Sequence, residues 1–138
     1  MITEYLQIQA ESELPDISAF SPFRAVIVID EIVTLEWQTQ VSTWLVKSGC
    51  LYMMAWGKEC STWDDSVDIA NLEEFNYGEI PEDKFVMTTW HEDESLGDVF
   101  WFAKNNAFHP IVVMQNTLLL HISSKNKKAE LLLEYAIA

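Results

Sequence analysis

The stretch FVMTTWHEDES, Phe85 to Ser95, places a histidine and three carboxylates directly after an apolar run. A carboxylate beside a histidine is the raw material of general acid–base work or of mixed nitrogen and oxygen metal ligation. Other groups of the same kind end other apolar runs: Asp30 and Glu31 after RAVIVI, Lys58, Glu59 and Cys60 after CLYMMAWG, and His121, Ser123 and Ser124 at the end of LLLHISS. Asp30, Asp64, His91 and Glu92 would suit Mg²⁺, Mn²⁺ or Zn²⁺, so a divalent metal is the cofactor this set would take. Their spacing matches no compact metal signature. Cys60 is the candidate nucleophile, with His91 or His121 as its base and Asp64 or Asp65 to orient that base. A thiol just before a helix is activated by the helix N-terminus, although the surrounding acids oppose the thiolate. Cys50 leads a strand and reads as core, His109 is held extended in a loop by Pro110, and His121 reads as a hydrogen-bonded core residue.

The elements that must position these groups follow from periodicity. RAVIVID, CLYMMAW and FVMTTW are short, apolar and β-branched or aromatic, the pattern of strands buried on both faces. Between them, Trp37, Val41, Trp44 and Leu45 define one helical face, with Thr34 as N-cap and Gly49 as stop. STWDDSVDIANLEEF predicts a second helix, with Ser61 and Asp64 at capping-box spacing, and Ser95 with Asp98 repeats that spacing before a third. The third helix has Leu96, Val99, Phe100 and Ala103 inward. PIVVM and TLLLHIS, joined by Gln115-Asn116, predict an antiparallel hairpin. A last helix would bury Ala129, Leu132, Leu133 and Ala136. Residues 1–23 read as an irregular or edge-strand segment, with YLQIQ alternating and Pro15 and Pro22 breaking the pattern.

The expected architecture is a single α/β domain over residues 1–138. It is a three-layer sandwich whose mostly parallel central sheet has about five strands, with a C-terminal β-hairpin and flanking helices. The simplest strand order puts RAVIVID in the centre, the next two strands on either side of it, and the hairpin beyond the third. In such sheets ligands gather at the carboxyl ends of the strands. The expected binding rim is therefore Asp30, Trp56, Trp63, Asp64, Asp65, Trp90, His91 and Glu92.

Charge sets the partners. The 138 residues carry 22 acids against 8 bases, a net charge of −14, which repels nucleic acid and anionic lipid and attracts basic partners. Thirteen acids and one base lie between Glu59 and Asp98. Six tryptophans exceed ordinary packing needs, and those at strand ends would wall a pocket for a cationic ligand or anchor a protein interface. The expectation is an acidic, Trp-rich binding module for a basic protein or a small cationic ligand. The alternative is a small metal-assisted hydrolase using His91 and the neighbouring carboxylates. Self-association is a further possibility. No apolar run reaches membrane-spanning length, the N-terminal residues have neither the basic nor the apolar region of a signal peptide, and two closely spaced cysteines fit reduced thiols in a cytoplasm.

The phrases WLVKSGCLYMMAWG, WDDSVDIANLEEF, MTTWHEDE and LLLHIS are similar to those of an uncharacterised family of small bacterial α/β domains of unknown function. The resemblance covers roughly residues 20–125. It implies a stand-alone α/β domain and brings no established activity or site residue. The ending VIVIDE is also similar to the acid pair of two-component receiver domains. Trp90 and His91 stand where a receiver needs its phospho-accepting aspartate, however, and LLLHISS lacks the lysine, so that function is excluded.

Overall fold

The computed structural model describes residues 2–138. Five strands and four helices follow one another along it, alternating from the second strand onward. They are β1 (Ile2–Ile8), β2 (Phe23–Ile29), α1 (Leu35–Lys47), β3 (Cys50–Gly57), α2 (Trp63–Glu74), β4 (Met87–Trp90), α3 (Leu96–Asn105), β5 (Asn116–Ile122) and α4 (Lys128–Ile137). All strand pairs are parallel, in the order β1-β5-β2-β3-β4. Every residue of β2 is buried, as an apolar run with strands on both sides requires.

Side-chain alternation divides the core into two layers. Ala25, Ile27 and Ile29 face α1 and α2, where Trp37, Val41, Leu45, Trp63 and Val67 meet them. Val26 and Val28 face α3 and α4, against Val99, Phe100, Leu131 and Tyr135. The result is the three-layer α/β sandwich. Thr34 caps α1 by accepting the Trp37 N–H at 3.2 Å, and Ser95 caps α3 by accepting that of Asp98 at 3.1 Å.

Four local expectations are corrected. The C-terminal hairpin does not form: β5 is parallel to both of its neighbours, and Pro110–Met114 has no strand structure. The place beside β5 is taken by the N-terminal β1, which is a regular edge strand. Residues 107–114 are instead pinned as a loop by buried polar groups. The Arg24 guanidinium donates to the carbonyls of Ala107 and Met114 at 3.1 and 3.2 Å, and His109 Nδ1 accepts the N–H groups of Ile111 and Val112. The strand order differs too, since β3 and β4 lie on the same side of β2. The Ser61–Asp64 capping box is absent: Cys60–Thr62 forms a 3-10 turn that runs straight into α2, whose N-cap Thr62 makes no side-chain cap bond. Finally, α4 buries Leu131 and Tyr135 and leaves Leu133 62% exposed, so its inward stripe is displaced from the expected one.

The carboxyl ends are stitched together by the backbone. Asp30 N–H donates to Ile122 O, Lys58 N–H to Ile29 O at 2.9 Å, and Ser123 N–H to Ile8 O. Gly57 makes the second of these possible. Its φ is +108°, and an added Cβ would lie 2.3 Å from Ile29 O. Gly57→Ala should therefore lower stability by about 3 kcal/mol, from left-handed strain and a backbone clash together. Gly97→Ala, where the nearest neighbour of a new Cβ is Ser95 Oγ at 3.8 Å, should be neutral or slightly stabilising. Paired urea melts would show the contrast, and equal effects would contradict it.

Candidate functional site

The chain leaves β2 towards α1 on one face of the sheet and leaves β5 towards α4 on the other. β2 and β5 are neighbours, so their connections part and open a crevice at their carboxyl ends, the switch point of a doubly wound sheet. That crevice has a volume of about 590 Å³ and is lined by Asp30, Glu31, Trp56, Lys58, Lys125 and Lys127, together with Ser123 and Ser124.

Below it runs a hydrogen-bonded chain. His121, on β5, is 1% exposed. Its Nε2 lies 2.6 Å from Asp30 Oδ2 and its Nδ1 lies 2.7 Å from the Tyr5 hydroxyl. The Tyr5 oxygen accepts the Lys127 N–H at 3.0 Å, leaving the phenol proton to be donated to Nδ1. Nδ1 is then an acceptor, and Nε2 carries the proton that goes to Asp30. Burial, with a contribution from the Asp30 charge, pushes the Tyr5 phenol above its ordinary pKa, against the Lys127 N–H, which lowers it. The phenol therefore stays a donor. Asp30 itself is 38% exposed, and its Oδ1 makes no hydrogen bond among the described residues. One oxygen is thus held by His121, the other has no partner, and the residue lines the crevice. Glu31 is held by the Ser124 N–H at 3.2 Å.

Of the remaining expected site residues only Trp56 joins this crevice. Cys60 is 2% exposed on the α1/α2 side. Burial pushes its thiol pKa up, aided by the Glu92 charge and opposed by nearby backbone N–H groups, that of His91 among them. The His91 ring turns to the opposite face, 4.9 Å from the Phe102 ring centre, with Nδ1 3.0 Å from Glu94 Oε2 and Nε2 2.9 Å from Thr89 Oγ1. The Cys60–His91 pair is thus not assembled as a nucleophile and its base: one side chain lies on each face of the sheet. Trp63 is 1% exposed in the core and walls no open surface, whereas Trp90 is 47% exposed. Trp56 is partly buried at the crevice and donates its indole N–H to Glu94 O at 2.8 Å.

The metal set is divided as well. Asp64, Asp65 and Asp68, on one turn of α2, have oxygens within 4.8 Å of one another. Asp30, His91 and Glu92 stand outside that group. Asp68 accepts the Thr88 hydroxyl at 2.8 Å. Tyr5 was beyond sequence reasoning, because the only signal was an alternating YLQIQ. The three crevice lysines were visible as residues, but without the strand order nothing connected Lys58 to Lys125 and Lys127.

A doubly wound α/β protein with an open crevice at its switch point is the class these features define. The chain belongs to the family described as a domain of unknown function (DUF7684), whose model matches residues 3–138. No curated protein and no solved structure matches it.

Two outcomes follow from this geometry. Neither Cys50 nor Cys60 should react promptly with a disulfide reagent at pH 8 in the native protein, and both should react in urea. The native rate should be slower by on the order of 100-fold or more, since labelling waits for opening. Rapid native labelling at Cys60 would restore the thiol as a candidate nucleophile. The second outcome concerns Asp68, whose pKa is raised by burial first and by Asp64 and Asp65 after that. Its ionised form is therefore disfavoured in the fold. The penalty is present above the folded pKa and disappears as pH falls below the ordinary aspartate value. Asp68→Asn keeps an acceptor for Thr88 and should stabilise the protein at pH 7 by up to about 1 kcal/mol, a gain kept small by solvent screening. The gain should vanish near pH 3.5, and a pH-independent effect would contradict the assignment.

Proposed function

We propose that this protein is a binding module that takes a small polar ligand in the crevice between the carboxyl ends of β2 and β5. The observation that carries this reading is Asp30. Its Oδ2 is held by a chain through His121 and Tyr5, its Oδ1 has no hydrogen-bond partner among the described residues, and the residue lines a crevice of about 590 Å³. A fixed acceptor at a switch point is a recognition element, because its ordering was completed on folding and binding does not repeat it. Trp56 gives the crevice one aromatic wall.

Binding is favoured over catalysis by how the reactive groups are committed. Both ring nitrogens of His121 are engaged, both nitrogens of His91 are engaged, and both thiols are buried. The free, buried cysteines suit a reducing cytoplasm, the setting we infer for the module. Among the described residues no helix is long and apolar enough to cross a membrane.

The test is amide NMR titration with a probe of each charge type: spermidine, serine, malate and O-phosphoethanolamine. At least one should shift resonances of residues 30–31, 56–58 and 123–127 saturably. Asp30→Asn should weaken that probe about tenfold, the loss of one charge-assisted hydrogen bond. Silence from all four, or shifts confined to α2, would refute the proposal.

A further inference from the structure

Lys58, Lys125 and Lys127 are three of only 8 basic residues in a chain with 22 acids, and all three line the same crevice as Asp30. None of the three forms an ion pair among the described residues. The ammonium–carboxylate contact that does form, Lys47–Glu74, lies elsewhere. Over most of the surface an unpaired cation would be outnumbered by acids, yet here the balance is reversed. Asp30 and Glu31 supply two negative charges, each with one oxygen already engaged, against three free ammoniums.

The frame holding these charges is continuous. The Lys127 N–H bonds Tyr5, Tyr5 bonds His121, and His121 bonds Asp30. The loop also closes on itself, with the Lys125 N–H on Ser123 Oγ and the Ser124 N–H on Glu31. The N–H groups of Ser123, Ser124, Lys125 and Lys127 are all engaged, so the positive groups offered by the crevice lysines are their side-chain ammoniums. From this we propose that the crevice ligand is a small molecule bearing a phosphate or carboxylate, held by Lys58, Lys125 and Lys127, with a hydroxyl or amine next to it that donates to Asp30 Oδ1. The adjacent donor is required, because a bare anion against Asp30 would meet like charge. The ammoniums attract the anion as mobile point charges, while Asp30 fixes its orientation.

This inference rests on the crevice being the binding site, and the experiment separates the two. Titration calorimetry would compare O-phosphoethanolamine, β-alanine, inorganic phosphate, ethanolamine and spermidine on the wild type. It would repeat them on Asp30→Asn and on the triple variant Lys58→Gln, Lys125→Gln, Lys127→Gln, whose exposed side chains leave the core intact. O-phosphoethanolamine or β-alanine should bind at least about tenfold tighter than phosphate or ethanolamine, and whichever is tighter identifies the anion as phosphate or carboxylate. The triple variant should lose both. Asp30→Asn should reduce the preferred probe to the level of inorganic phosphate without weakening phosphate itself. If only ethanolamine or spermidine binds, and does so through Asp30, the crevice stands as a site and the anion inference falls. Anion binding that survives in the triple variant overturns it equally. If none of the five binds, both readings fall.

Discussion

A fully buried imidazole in the inner strand of a parallel sheet needs a partner for each ring nitrogen, and much of this molecule's carboxyl edge is arranged around meeting that need. An unmet polar atom at such a depth is destabilising by an amount comparable with a large share of a small domain's stability. His121 takes its partners from the strands on either side of it, Tyr5 from β1 and Asp30 from the end of β2. The requirement ties three separate stretches of sequence together and constrains register. Gln7 and Val28 must both stand opposite His121 for the two partners to reach it, and a slip of one residue would turn either partner to the wrong face. The N-terminal strand is thus more than trim on the sheet edge. It supplies the phenol that sets the tautomer, and with it the direction of the hydrogen bond given to Asp30.

The same logic of satisfied burial explains the irregular half of the chain. Arg24 is buried without a carboxylate partner, and its guanidinium is held by carbonyls of the 107–114 loop and by the Thr117 hydroxyl. His109 bonds the same loop and donates Nε2–H to Phe85 O. These contacts outweigh the β-propensity of PIVVM, which would otherwise seek a strand neighbour. With β1 and β2 flanking β5, neither edge of β5 was left for it to join.

These cases also mark what could be read from sequence. Strands such as RAVIVID and CLYMMAW were legible because burial on both faces leaves a continuous apolar run. The caps Thr34 and Ser95 were legible because their partners lie three residues away. The hairpin misled because the groups that prevent it, Arg24 and Ala107, are 83 positions apart. The carboxyl rim was legible as an edge, since parallel strands put their ends together. Its division was not. Which face each side chain takes depends on register, and register placed Cys60 and Trp63 with α1 and α2 while the His91 ring went to α3. Asp30 was named from sequence alone. Its partner His121 lies 91 positions away, and Tyr5 lies 116 positions from that histidine, so neither carried a local signal.

Charge distribution completes the picture of the edge. The acids from Glu59 to Asp98 concentrate on α2 and on the loops around β4, while the lysines at the β2–β5 crevice form a separate positive locus. A strongly negative molecule ordinarily slows the approach of anions. A pocket that gathers three unpaired ammoniums against that background admits an anion only at short range, where its own charges exceed the screened field of the rest. Flexible lysines and a rigid carboxylate then play separate parts in recognition. The ammoniums supply attraction that tolerates small differences in ligand shape, and Asp30 supplies an acceptor whose position does not adjust. Discrimination in such a site comes from the rigid member, because a ligand without a donor at the right place leaves a fixed carboxylate oxygen facing its anion, and that arrangement is repulsive.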